Sequence, residues 1–268
     1  MKLEGKVTLV TGGNSGIGRA IALRAAAEGA RVAISGRDHV KGEIVLGELR
    51  AAGADAAFFP AELSEEQRAA ELVSGVAGHF GRLDVVVNNA GVGARRSPIE
   101  ADDGAGDRLR KLMGANFEAA YYVSAHALPL LRGAGGGSIV NISSTAALHG
   151  TWGTYGIAKA AIEALTRSLA VQGAPDRIRA NGVSPGWIST EATRGHEAVD
   201  RNASLFRRMG TADEIARAVV FLASSEASFV TGQTLIVDGG LTIVDYPSQP
   251  WLEAVGAWKL FPDARPSR

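Results

Sequence analysis

The sequence predicts an α/β fold, a single domain on a doubly wound sheet of about seven parallel strands with helices on both faces. Three observations predict it. Short apolar runs of strand length alternate with longer segments of helical spacing along most of the chain. Several of those runs are apolar at consecutive positions, as strands covered on both faces must be. A glycine-rich turn joins the first run to the first helical segment, the place where such sheets bind ligands.

The elements follow in order. Val7–Val10 opens the sheet, and Ile17–Glu28 follows with Ile21, Leu23 and Ala25–Ala27 behind its first turn. Arg31–Ser35 leads to a helix over His39–Ala52. Ala56–Phe59 leads to one over Ser64–Phe80, where Ser64-Glu65-Glu66-Gln67 has the form of a capping box with Gln67 at N3. Val85–Val87 precedes a helix over Leu109–Leu131, and Ser138–Ile142 precedes one over Thr154–Val171. Ile178–Val183, a helix over Ala212–Ala223 and Leu235–Val237 complete the pattern. No composition shift or internal repeat divides the chain, and the short Gly133–Gly137 stretch suits a tight loop. Residues 1–240 are therefore expected to form the domain. Residues 241–268, with Trp251, Leu252, Val255, Trp258, Leu260 and Phe261, read as a tail that packs on the body or on a neighbouring subunit.

Composition narrows the function classes. The chain has 268 residues, enough for a sizeable core at 46% hydrophobic content. With 28 acidic and 28 basic residues, no field of one sign draws it to nucleic acid or an anionic membrane. Cysteine is absent, which excludes disulfides, thiolate nucleophiles and Cys-ligated zinc. None of the five histidines is paired at i,i+4, so no metal site is expected. No run approaches the ~20 apolar residues of a membrane span, and no signal-peptide pattern opens the chain. A cytoplasmic protein is the expectation.

The turn reads Thr11-Gly12-Gly13-Asn14-Ser15-Gly16-Ile17-Gly18. Glycines at 12, 16 and 18 let the backbone turn sharply and let a pyrophosphate approach. The helix behind it offers free N–H groups and a positive dipole end. Taken alone, a purely structural glycine turn fits the same residues, and the spacing is not G-x-G-x-x-G. The loop resembles the T-G-x-x-x-G-x-G loop of the short-chain dehydrogenase/reductase family. Asn88-Asn89-Ala90-Gly91 after the fourth strand, Tyr155-Gly156-Ile157-Ala158-Lys159 opening a helix, and Pro185-Gly186 after the sixth strand match that family in order and spacing. The resemblance covers about residues 3–240. It implies a Rossmann-like fold and an oxidoreductase that moves a hydride between a nicotinamide and a carbonyl or secondary alcohol.

Tyr155 and Lys159 are four apart on a predicted helix and share one face. A free phenol, with a pKa of ~10, is a poor base at neutral pH, and a nearby ammonium favours the phenolate. The resemblance implies that Tyr155 is the general acid/base and that Lys159 also grips the nicotinamide ribose. It implies a serine at the end of the fifth strand that bonds the substrate oxygen. In Asn141-Ile142-Ser143-Ser144, alignment from the strand side selects Ser144. Its gap of eleven to Tyr155 is two shorter than the family leads one to expect, which suggests a trimmed loop and leaves Ser143 as the other candidate. Asn116 matches the family asparagine that bends its helix and holds a water for a proton relay through the lysine.

The resemblance also assigns the cofactor contacts. Gly12, Asn14, Ser15, Gly16, Ile17 and Gly18 would cradle the pyrophosphate. Asn88, Ala90 and Gly91 would line the adenosine-ribose side, and Glu62 and Leu63 would contact adenine. Pro185, Gly186, Ile188 and Thr190 would hold the nicotinamide end. At the end of the second strand, where NAD-preferring relatives carry an acid, the chain has Gly36 followed by Arg37. A guanidinium suits a 2′-phosphate through bidentate, charge-assisted bonds. The expected cofactor is NADP(H) rather than NAD(H), although Asp38 lies one residue further on and a shift in register would bring its carboxylate to the ribose.

Residues 187–209 would form a lid over a small carbonyl or alcohol substrate. His149, His196, Arg95 and Arg96 read as solvated loop residues. By the same resemblance the chain is expected to assemble as a homotetramer or homodimer. Three other functions compete with a carbonyl reductase: a non-catalytic NADP(H)-binding sensor or scaffold, an NAD-dependent alcohol or sugar dehydrogenase, and an isomerase or dehydratase acting through transient oxidation. Retention of both Tyr155 and Lys159 argues against the sensor, and the Asn88-Asn89-Ala90-Gly91 motif of the shorter family form argues against the last.

Overall fold

A computed structural model describes residues 1–93, 98–193, 202–248, 251 and 254–255. Arg95, Arg96, His196, most of the expected lid centre, and Leu252, Trp258, Leu260 and Phe261 of the tail lie outside the described residues.

The strands are β1 (Val7–Val10), β2 (Arg31–Gly36), β3 (Ala56–Pro60), β4 (Val85–Asn88), β5 (Gly137–Ile142), β6 (Ile178–Pro185), the two-residue β7 (Ile188–Ser189) and β8 (Gly210–Thr211), and β9 (Thr234–Val237). Seven of them form one parallel sheet in the order β3-β2-β1-β4-β5-β6-β9. Each of the seven lies within two residues of the run that predicted it. The helices are α1 (Gly16–Ala27), α2 (His39–Ala51), α3 (Glu66–Phe80), α4 (Ala105–Met113), α5 (Ala119–Gly133), α6 (Gly153–Gly173) and α7 (Ala212–Ala223).

Side-chain alternation sorts the core into two layers. Val10, Ile34 and Val140 pack with Ile21 of α1, Leu49 of α2 and Ile215 of α7 on one face. Their neighbours Leu9, Ala33 and Ile139 pack with Val73 of α3, Val123 of α5 and Ile162 of α6 on the other. This is why the strands read as unbroken apolar runs. Among the described residues no helix is long and apolar enough to cross a membrane.

Three local features differ from the expectation. Helix α3 starts at Glu66 with Glu65 as its N-cap and no side-chain cap bond. Gln67 instead bonds Glu71 Oε1 along the helix at 3.1 Å, and the Ser64 N–H donates to Glu62 Oε1 at 3.4 Å, so the capping box does not form. A capping box is present at α7, where Thr211 and Glu214 bond reciprocally. The single helix expected over Leu109–Leu131 is α4 and α5 joined by a π-helical turn, Gly114–Glu118. Strands β7 and β8 were not legible, being too short for a period. They pin the two ends of the expected lid together, with the Gly210 N–H donating to the Trp187 carbonyl at 2.9 Å.

A buried carboxylate ties β1 to the residue before β4. Asp84 accepts from the Val7 N–H at 3.0 Å and from Arg82 at 2.9 and 2.6 Å. Burial pushes this carboxyl up, but Arg82, the Val7 N–H and Lys6 outweigh it and hold it below the usual carboxylate value. Asp84→Ala is expected to cost about 2–3 kcal/mol at pH 7, measured by denaturant unfolding. Because the folded value is depressed, that contribution is present at neutral pH and is lost as pH falls. The gap between wild type and variant should narrow below about pH 4.

Candidate active site

The sheet reverses its winding between β1 and β4, and the loops leaving these two strands open a crevice at their carboxyl ends. Hydrogen bonds set its width. Thr11 Oγ1 accepts from the Asn89 and Ala90 N–H groups, both at 3.0 Å, and lies 3.3 Å from the Val87 carbonyl. Asn89 Nδ2 donates to the Thr11 and Gly12 carbonyls at 2.9 and 3.2 Å. Gly18 packs against the loop from the helix side, where a Cβ would stand 2.1 Å from the Gly12 carbonyl oxygen. At the N-terminus of α1, Ser15 makes no side-chain cap bond.

Two cavities lie along the crevice and share Gly91 and Val92 on their walls. The larger, about 310 Å³, is bordered by Ile17, Asn116, Ser144, Tyr155, Lys159 and the stretch Pro185–Ile188 with Thr190. The smaller, about 100 Å³, is bordered by Gly12, Asn14, Gly36, Arg37, Glu62, Leu63 and Ala90.

In the larger cavity, β5 and α6 bring the polar groups together. The end of β5 separates the two serines. Ser143 is buried, with Oγ 3.0 Å from the Lys159 carbonyl and 3.1 Å from Glu163 Oε1. Ser144 Oγ accepts from the Ala146 N–H at 3.1 Å, capping a 3₁₀ turn, and reaches the Tyr155 hydroxyl. The loop between Ser144 and α6 contains two 3₁₀ turns, Thr145–Leu148 and Gly150–Trp152, the second leading directly into α6. Trp152, which the sequence reading did not single out, stacks obliquely near Tyr155 and Trp187, with ring centroids 6.1 and 5.9 Å away. An isolated Trp in a loop carries no periodicity that marks it.

Lys159 is buried and donates from Nζ to the Ile142 carbonyl at 3.0 Å. Its Nζ is 5.8 Å from the Tyr155 ring centroid. Burial lowers the Lys159 ammonium to about 8. The tyrosine departs from the expectation of a lowered pKa. Burial pushes Tyr155 up from its ordinary value, and the hydrogen bond from Ser144 opposes that only in part.

Asn116 sits in the π turn, fully buried. It donates from Nδ2 to the Leu112 carbonyl and accepts at Oδ1 from the Val92 N–H, both at 3.2 Å. A Cβ at Gly91 would meet Asn116 Oδ1 at 2.7 Å and Lys159 Nζ at 3.6 Å, so a glycine there lets these two side chains converge.

Asn88 is placed differently from the expectation. It is buried beneath the crevice and borders neither cavity. Its Nδ2 donates to Ser124 Oγ at 2.9 Å and to Asn141 Oδ1 at 2.8 Å, and Asn141 in turn donates to Thr166 at 2.9 Å. Its neighbour Asn89, which was passed over, borders the larger cavity. Asp38 does not border the smaller cavity; its carboxylate accepts from the Lys41 N–H at 3.0 Å as the N-cap of α2. This capping bond occupies the carboxylate whose register the sequence left open. Arg37 Nη1 lies 3.3 Å from Glu62 Oε2.

Known proteins are similar to this chain over most of its length. A family model described as enoyl-(acyl carrier protein) reductase matches residues 12–242. An uncharacterized oxidoreductase of Mycobacterium tuberculosis is 39% identical over 250 residues, covering 90% of this chain and 94% of that protein. A tropinone reductase homolog of Arabidopsis thaliana is 37% identical over 259 residues, covering 92% and 94%. Among solved structures, a 7α-hydroxysteroid dehydrogenase complexed with NADH and 7-oxo glycochenodeoxycholic acid superposes with a TM-score of 0.83 at 33% identity, covering 89% of this chain and 95% of that one. A short-chain type dehydrogenase/reductase from Mycobacterium ulcerans gives the same score and identity over 96% and 97%. Matches of this extent place the chain in the short-chain dehydrogenase/reductase family of oxidoreductases.

Proposed function

We propose that the protein transfers a hydride between NADP(H) and a carbonyl or secondary alcohol, with Tyr155 as general acid/base. The observation that carries this reading is the convergence of the Ser144 and Tyr155 hydroxyls and the Lys159 ammonium on one cavity beside the glycine loop. When bound, the nicotinamide supplies or accepts the hydride. The crevice suits a dinucleotide in two respects. The N-terminus of α1 carries no side-chain cap, which leaves its N–H groups for a pyrophosphate. Arg37 borders the smaller cavity, where a 2′-phosphate would pair with it.

The chain's own groups divide the work. The single Ser144 O–H donates to Tyr155 while the site is free, which favours the phenolate, and turns to the substrate oxygen when substrate binds. Tyr155 gives its proton to that oxygen in reduction and takes it back in oxidation. Lys159 spends one N–H on the Ile142 carbonyl, and its remaining donors hold the cofactor ribose. Asn116, locked by Leu112 and Val92, supports the lysine side of the site. Trp152 and Trp187 give the cavity an apolar flank against which a substrate ring packs.

Assembly as a homotetramer or homodimer belongs to the same reading. Leu109, Tyr121 and Ile157 on α4–α6, and Phe229, Leu235 and Ile236 by the open β9 edge, are exposed apolar side chains.

Oxidation of NADPH and of NADH is to be followed with a panel of ketones. Tyr155→Phe should lower kcat by roughly 10²–10⁴-fold and Ser144→Ala by about 10²-fold, with Ser143→Ala changing stability more than rate. Turnover that survives Tyr155→Phe would refute the assignment, and preference for NADH would refute NADP(H). In the reductive direction kcat/KM should fall as pH rises through about 8, where Lys159 loses its charge. Lys159→Arg should remove that fall, because a guanidinium stays protonated. Light scattering should give two or four times the 27.8 kDa chain mass, and a single-chain mass would refute the oligomer.

A further inference from the structure

The smaller cavity contains an ion pair of which the reading above uses only Arg37. Arg37 and Glu62 both border it, with 3.3 Å between Nη1 and Oε2. Their side chains are 67% and 48% exposed, so the pair adds little to stability. Glu62 is nevertheless held in place, because its other oxygen accepts from the Ser64 N–H at 3.4 Å.

No other carboxylate takes part. Asp38 is committed to capping α2. Gly36 carries no side chain, and a Cβ there would lie 2.4 Å from the Asn14 amide and displace it. Among the described residues bordering this cavity, Arg37 is the one cation and Glu62 the one anion.

The two residues favour different ligands. A phosphate on the adenosine ribose must draw Arg37 away from Glu62 and then stand beside that carboxylate, which repels it. A ribose hydroxyl in the same place donates to the carboxylate instead. Charges at the rim of a site act in this way on selectivity more than on overall affinity.

We infer that Glu62 is a specificity-determining residue: it holds down affinity for the 2′-phosphate and supports an unphosphorylated ribose, so that the site accepts both forms of the dinucleotide. The inference rests on reading the smaller cavity as the adenosine end of a dinucleotide site.

Calorimetric titration of the full-length protein with adenosine 2′,5′-bisphosphate and with 5′-AMP tests it without turnover, since the two probes differ only in the 2′-phosphate. Glu62→Gln should raise the ratio of bisphosphate to AMP affinity by roughly three- to tenfold. Glu62→Asp, which keeps the charge, should stay closer to wild type than to Glu62→Gln. Arg37→Ala should weaken the bisphosphate and spare AMP. An unchanged ratio in Glu62→Gln, with the bisphosphate still weakened by Arg37→Ala, would overturn the inference and leave the NADP(H) reading standing. Bisphosphate binding that is indifferent to both residues would overturn the two together, as would failure of the protein to bind either probe.

Discussion

The site depends on one junction, the place where β1 and β4 lie side by side and their loops diverge. A parallel sheet wound in both directions must have such a point, and the diverging connections leave a crevice above it. Thr11 and Asn89 hold the two loops at a fixed separation by satisfying each other's backbone groups. Gly18 then lets α1 start directly behind the turn. A side chain at Gly18 or loss of the Thr11 hydroxyl would disturb the glycine loop, the start of α1 and the Gly91 wall together, because all three are registered to this contact.

Below the junction the protein buries polar groups that have a high cost in isolation. Asn88, Asn141, Ser124 and Thr166 form a chain of bonds across β4, β5, α5 and α6. Each bond satisfies a group that water cannot reach, and together they fix the heights of the two helices relative to the strands. That fixation matters for Lys159. Its ammonium is drawn into the protein by the Ile142 carbonyl at the end of β5, and burial lowers its pKa as the price of that placement. The π turn at Gly114–Glu118 serves the same end from the opposite wall, turning Asn116 inward to the Val92 N–H.

The two cavities differ in how firmly their polar groups are held. Around Tyr155, Lys159 and Asn116 are buried and bonded to backbone groups, and the aromatic contacts of Trp152 and Trp187 add an apolar border. Around Arg37 the groups are exposed and paired with each other across the cavity mouth. Proton transfer needs the first arrangement, in which geometry is fixed before a ligand arrives. The proposed discrimination between phosphorylated and unphosphorylated ribose suits the second, where an exposed cation can change partners.

The sequence alone determined the seven sheet strands and the helices around them, except for the π turn that divides the stretch expected as one helix over Leu109–Leu131. Their apolar runs and 3.6-residue periods are local consequences of which faces must be buried, and they do not depend on how the chain closes. It also determined that the glycine loop, Tyr155 and Lys159 belong to one pattern, because four motifs recur in order along the chain. The tertiary structure decided what pairwise distances decide. It sent Ser143 to the Lys159 carbonyl and Ser144 to Tyr155, a choice between adjacent residues that only the exit direction of β5 can make. It withdrew Asn88 into the core and brought Asn89 to the crevice, since adjacent residues leaving a strand end point to different surroundings. It formed the capping box at Thr211 and not at Ser64, because Glu62 and Glu71 compete for the groups that the local spacing had assigned to the cap. It set Glu62 against Arg37, a pair 25 positions apart in the chain whose contact exists only because β2 and β3 are neighbours in the sheet.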